Sequence, residues 1–350
     1  MSNQPPIEVP QGAIRLNTDS QKLEFFAQDR WYEMATEDAS GLGGRAFRVA
    51  GDNPAGGTII DIFSITTGGQ AYDSGFDLSE PTGQMACAGS RTRAVLAGGY
   101  IGGGYGKNFI QYFEMAALSN SIDFGDLTVQ MGRNAGHSNN TRMIMTGSVD
   151  QNANTINFIT ISSTGNALDF GDTLTNMASI GSAGSRTRIV FGGGSSPTDP
   201  YPTVNTIEFA TIATTGNTLD FGDLTQERYS VGAVSNSTRC VFIMGNSSSQ
   251  SSPTNQQTNV IDFFNTSTLG NAQDFGDVSG QTLSQMPFTA SNATRGVFGG
   301  GYYTGSSPNK TSEIGAINIA TKGNSTKFGD LSGLCSSVGS GCCDSHGGVQ

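Results

Sequence analysis

The chain has 350 residues, only 13% of them charged, and a formal net charge of −11. That acidity excludes a phosphate-backbone binder, which needs clustered Lys and Arg to displace counterions, and a protein docked on anionic membranes. No window reaches about 18 consecutive apolar residues, so no membrane insertion is expected, and 49 glycines among many Ser, Thr and Asn describe a turn-dense β protein without long helices.

The first residues, Met1-Ser2-Asn3-Gln4-Pro5-Pro6, have no basic start and no apolar stretch, so they do not read as a secretory signal. Residues 12–34 read as a three-stranded meander with polar turns. Its segments are Gly12-Ala13-Ile14-Arg15-Leu16-Asn17-Thr18-Asp19-Ser20, Lys22-Leu23-Glu24-Phe25-Phe26 and Arg30-Trp31-Tyr32-Glu33-Met34. A sheet this small is marginal alone and must pack on something. We therefore divide the chain into an N-terminal module, residues 1–38, and a repeat domain, residues 39–350.

From residue 39 onward one pattern recurs. Phe-Gly-Asp or a close variant begins at Phe76, Phe124, Phe170, Phe221, Phe275 and Phe328, at spacings of 48, 46, 51, 54 and 53 residues. Thr-Arg ahead of an apolar, glycine-ended run recurs in the same phase at Arg93, Arg142, Arg188, Arg239 and Arg295. Two marks sharing one period define a structural repeat. Each unit reads as a small inner strand, a tight turn, an apolar second strand, an alternating third strand, and a Gly-Asn hairpin into the Phe-Gly-Asp strand. Four-stranded units of about 50 residues with glycines closing the second strand resemble the kelch repeat, whose blades surround a central channel. The usual kelch tryptophan on the fourth strand is here a phenylalanine. The expected fold is all-β: a six-bladed kelch-like β-propeller of four-stranded blades, with a short N-terminal β-meander.

The ends of the repeat suggest how the ring closes. The first unit starts at its second strand, near Arg45, with no inner strand before it. The tail 336–346 matches 229–239 in pattern, so the C-terminal strand, within about 335–347, should complete blade one.

The periodic residues occur once per blade and read as scaffold. Phe124, Phe170, Phe221 and Phe275 would fill the space between sheets. Asp126, Asp172, Asp223 and Asp277 would cap turns, and the Thr-Arg arginines would pair with such carboxylates. A ring of functional arginines lining the channel is the alternative. The turns Asn139-Asn140-Thr141, Asn236-Ser237-Thr238 and Asn292-Ala293-Thr294 match glycosylation sequons but read as turn chemistry. Cys87, Cys342 and Cys343 fall in inner strands and Cys240 in a second strand, as buried thiols and not a disulfide framework.

No catalytic constellation stands out, and no cofactor or metal is expected. The two histidines, His137 and His346, fall at the same repeat turn, which leaves no Ser-His-Asp triad and too few ligands for copper. The glycine clusters at 102–104 and 192–194 lack the following Lys-Ser/Thr of a phosphate loop. A glycosidase-type carboxylate pair stays open, because distant carboxylates can converge. The loops between second and third strands vary most and should share one face. They carry Tyr100, Tyr105, Tyr201, Tyr302 and Tyr303 among Gly, Ser, Asn and Pro, and read equally as saccharide-stacking residues or as loop filler.

The N-terminal string resembles a short module of tailed-bacteriophage fibre and tail-associated proteins. In that module a Gly-x-x-Arg-x-Asn-Thr turn precedes a Leu-Glu-aromatic strand and a closing Trp. The resemblance implies that Arg15, Asn17, Glu24 and Trp31 serve attachment or a trimer contact; the alternative is a β appendage covering one propeller face. It further implies a non-enzymatic virion protein, assembled in a host cytoplasm and released by lysis. Its partners would be other virion proteins, a host surface glycan and further copies of itself, as a trimer. A cellular kelch-type scaffold and a carbohydrate-active enzyme are the other readings.

Overall fold

In the computed structural model of the protein, which describes residues 9–17, 22–28, 30–33, 44–51, 57–100, 106–149, 153–198, 201–247, 257–280, 287–301, 310–335 and 340–345, every regular element is a β-strand. The chain divides into two compact units, Met1–Leu42 and Gly43–Gln350. In the first, Ile14–Asn17, Lys22–Ala27 and Arg30–Glu33 pair antiparallel in chain order, forming the expected meander.

The second unit is a six-bladed β-propeller of four-stranded antiparallel blades. Blades 2 to 6 span residues 86–131, 135–172, 181–223, 232–277 and 288–335. Blade 1 is composite: Arg45–Val49, Gly57–Ser64 and Tyr72–Thr82 are joined by Ser340–Cys343 as the innermost strand. The C-terminal strand thus closes the ring as expected, but one residue away from the predicted match. Cys343 pairs with Ala46 as Ser235 pairs with Cys240, so Asp344 takes the place of Asn236. The turn chemistry explains the shift. Asn236 Oδ1 accepts the amides of Thr238 and Arg239 within one turn, whereas Asp344 Oδ1 accepts those of Gly44 and Arg45, 3.1 Å each, from the other end of the chain. Each such turn needs a side-chain acceptor, and Asp344 supplies it across the break.

Second strands such as Arg188–Gly192 are apolar and buried along most of their length, because each blade lies between two neighbours. The core is accordingly six clusters, each shared by adjacent blades. Val190, Ile207 and Phe221 of blade 4 pack with Cys240, Phe242 and Phe264 of blade 5. Phe288 and Val297 of blade 6 pack with Ala46 and Phe63 of blade 1, which completes the circle.

The Phe-Gly-Asp signature joins one blade to the next. Phe170, Phe221 and Phe275 are each the extra residue of a β-bulge, where the pairing register skips. Each is buried and meets a third-strand ring edge-on, as in Phe158–Phe170 and Phe209–Phe221, 5.9 Å between centroids; Tyr112–Phe124 is similar at 5.7 Å. The glycine that follows lies against the next blade's Gly-Asn turn. The amide of Gly216 donates to Phe170 O at 2.7 Å, and the amide of Asp172 donates to Asn217 Oδ1 at 3.0 Å. The same bond links Asp126 to Asn166, Asp223 to Asn271 and Asp277 to Asn324. The capping role assigned to the Asp carboxylates is thereby corrected. Asn is the acceptor and Asp contributes its amide, because the bulge turns that N–H toward the neighbouring turn.

The Thr-Arg arginines also differ from expectation. Among the described residues none pairs with a Phe-Gly-Asp carboxylate. Arg142 donates to Ile212 O and Ala213 O, Arg188 to Thr266 O, Arg239 to Ile319 O and Ala320 O, and Arg295 to Ile65 O and Thr66 O. Arg93 donates to Ile161 O and pairs with Glu114. In each case the carbonyl acceptors follow the end of a third strand of the next blade, where carbonyls have no strand partner and need a donor, while Glu114 lies in Arg93's own blade. The guanidiniums rest on rings, such as Arg188 over Phe209 at 4.4 Å and Arg239 over Phe263 at 4.6 Å, and they do not line the channel.

Candidate functional site

The connections between blades and those between second and third strands meet at one face: Ala178 bridges Ser195, and Tyr229 bridges Asn246. Of the five tyrosines assigned to this face, Tyr105, Tyr302 and Tyr303 lie outside the described residues. Tyr100 and Tyr201 are brought together. They line one cavity of about 270 Å³ with Arg133, Val149, Ala178, Ser195, Ser196 and Pro197, contributed by blades 2, 3 and 4 and the connections between them. Tyr100 is half-buried and Tyr201 is 38% exposed, so the rings present both a fixed wall and an accessible one.

Backbone geometry places Arg133 at the centre of this region. Gln84, Arg133, Ser179 and Ser230 each precede an inner strand, and each adopts a left-handed conformation with φ between 54° and 59°. Their backbones bond in series around the channel mouth: Arg133 N to Gln84 O, Ser179 N to Arg133 O, and Ser230 N to Ser179 O, at 2.9, 2.9 and 2.7 Å. Non-glycine residues hold such φ values only where the surroundings impose them, and such strain concentrates at functional clamps. Arg133 lines both the channel and the loop-face cavity. Its Nε donates to Gln84 Oε1 at 2.9 Å, and its guanidinium carbon lies 5.5 Å from the Tyr100 ring centre. Burial pushes the nearby Tyr229 phenol up, with the Arg133 charge opposing it. The cavity thus offers two aromatic faces, two serine hydroxyls and one cation.

Arg133 and Gln84 were not among the residues singled out from the sequence. The available signal was Arg133 standing where other repeats place Ser179 or Ser230; its contribution to the tyrosine cavity depends on three blades meeting.

The conspicuous carboxylates serve the junctions between blades. Glu208 accepts from Leu174 N, Thr175 Oγ1 and Thr218 Oγ1, and Asp262 from Thr225 and the fully buried Arg228, the last at 2.8 Å. Asp61 accepts from Ser332 and Arg48. Gln111 and Asn157 hold the same third-strand register, each bonded to the preceding blade. A polar residue within an apolar third strand, as in Ile207-Glu208-Phe209, was the legible sign of this role.

In the N-terminal unit, three of the four named residues converge. Arg15 Nε pairs with Glu24 at 2.8 Å, and the Arg15 guanidinium carbon lies 4.0 Å from the Trp31 ring centre. Trp31 also meets Phe26 edge-on at 5.3 Å. Asn17 ends the first strand, opposite Lys22. Ile14 and Leu16, on the opposite face of that strand from Arg15, are 64% and 60% exposed.

Neither the protein-family models nor the curated proteins give a match to this chain.

Proposed function

We propose that this chain is a non-enzymatic structural protein of a phage virion, a tail-fibre or other tail-associated component, that binds a host surface saccharide at the loop face of its propeller. The observation that carries the reading is the cavity where Tyr100, Tyr201 and Arg133 meet. Aromatic faces stack on the apolar faces of sugars, while Ser195, Ser196 and a guanidinium bond their hydroxyls or carboxylates. The phage-like N-terminal string and the kelch-like repeat supply the virion context. Ile14 and Leu16 offer an apolar strip for attachment or a trimer contact.

A glycan array probed with the full chain tests this. Specific weak binding without product is expected, reduced about tenfold or more in the double variant Tyr100→Ala/Tyr201→Ala. Deleting residues 1–38 should leave it unchanged. Turnover of the saccharide, or binding that disappears with residues 1–38, contradicts the proposal.

A protein-interaction scaffold is the second reading. Tyr72, Ile122, Leu168 and Leu219 stand at equivalent outer-strand positions of blades 1 to 4 and are 57%, 54%, 61% and 60% exposed. An apolar row on open sheet edges suits a protein partner.

A further inference from the structure

We propose that Cys87 and Cys342 form a redox-reversible disulfide that fastens the C-terminal strand into the ring. The inner strands carry the argument. Ala86–Gly89, Ala135–Ser138, Gly181–Gly184 and Ser340–Cys343 hold equivalent places, each innermost in its blade. The second residue of such a strand faces the preceding blade, as Ser182 Oγ does in donating to Gly136 O at 2.9 Å. The third residue faces the following blade: a Cβ on Gly184 would stand 2.9 Å from the His137 ring. Cys87 is second in blade 2 and Cys342 is third in blade 1. Their side chains therefore face each other across the junction of blades 1 and 2.

Independent observations agree. Both cysteines line the central channel, a cavity of about 120 Å³, and both belong to the apolar cluster joining blades 1 and 2. Beside them, Ser340 Oγ donates to Met85 O across the same junction. The neighbouring Cys343 is turned to the opposite side, in the cluster with blade 6, and meets Ser345 Oγ at 3.3 Å. The junction is also where a covalent tie has most to add. In blades 2 to 6 the inner strand continues directly into its second strand, but Ser340–Cys343 is held to Arg45–Val49 only by noncovalent contacts. The staple stands independently of what the loop face binds.

The oxidant is a small organic disulfide. The Cys87 thiolate attacks one of its sulfurs and expels a thiolate, leaving a mixed disulfide. Cys342 then loses its proton to solvent, attacks the Cys87 sulfur and expels the second thiolate. Two protein thiols and one small disulfide give one protein disulfide and two small thiols. The facing Cys87 thiol, then burial, hold the Cys342 thiol of the reduced chain well above the usual range, and burial still opposes its ionisation once Cys87 is in the mixed disulfide, so closure speeds up as pH rises.

Hydroxyethyl disulfide added to the full chain at about pH 8.5, near the ordinary thiol pKa, provides the test. Alkylation, digestion without reductant and mass spectrometry should yield the Cys87 and Cys342 peptides joined and two hydrogens lighter than their sum. The oxidised chain should melt about 5 °C higher, and a reductant should reverse the rise. Cys87→Ala should fold, since Ala233 holds the same place in blade 5, and should show no rise on oxidation. Cys87 and Cys342 both remaining free, either one joined to a different cysteine, or a joined chain that melts like the reduced one overturns the proposal.

Discussion

At the scale of single residues, the ring depends on side-chain acceptors at turns, and Asp344 is the one that joins the two ends of the chain. Its carboxylate binds two amides and pairs with Arg45 at 2.8 Å, yet burial raises its pKa, with the Arg45 contacts opposing. The sign follows directly. The folded chain holds this proton more tightly than the unfolded chain, so ionisation weakens the fold as pH rises, and acidification recovers that loss below the folded pKa. Asn139, Asn236 and Asn292 do the same work in other blades without a charge. Asp344→Asn should therefore melt at or above the wild-type temperature at pH 7, and the difference should close on acidification. Asp344→Ala should lose about 1–2 kcal/mol in denaturant titrations. Asp344→Asn behaving like Asp344→Ala would show that the charge, and not the acceptor, holds the turn.

At the scale of elements, the bulged Phe-Gly-Asp strand and the next blade's Gly-Asn turn form one clasp. A Cβ on Gly222, at φ +146°, would stand 2.5 Å from the Gly270 carbonyl, whereas one on Gly270, at φ +143°, meets nothing within 4 Å. Both substitutions carry the backbone cost of that conformation, but only one also pushes neighbouring blades apart. Gly222→Ala should cost about 3 kcal/mol or more, and Gly270→Ala about 1–2 kcal/mol, in equilibrium unfolding. Equal losses would remove the clasp from the account. The Phe, Gly, Asp and Asn of this device were all visible as repeated letters. Their partnership was not, because the two halves belong to successive blades and pair only when the blades stand side by side.

At the scale of the whole molecule, six blades with six shared cores make a ring whose stability is collective. Deleting residues 336–350 removes the inner strand of blade 1 and uncovers Ala46 and Phe47, both fully buried. We expect the deletion to broaden or split the calorimetric unfolding transition, and a melting profile identical to that of the full chain would contradict closure by this strand. The sequence by itself determined the strand content, the repeat length, the blade count and the origin of the closing strand. Those follow from periodicity and turn chemistry, which are local and written once per blade. Only the tertiary structure decided which groups meet across blades: Arg188 with Thr266 O, Asp344 with Gly44, Cys87 facing Cys342, and Tyr100 and Tyr201 beside Arg133. Such encounters depend on the angle and spacing of neighbouring sheets, a property of the closed ring that no single repeat encodes.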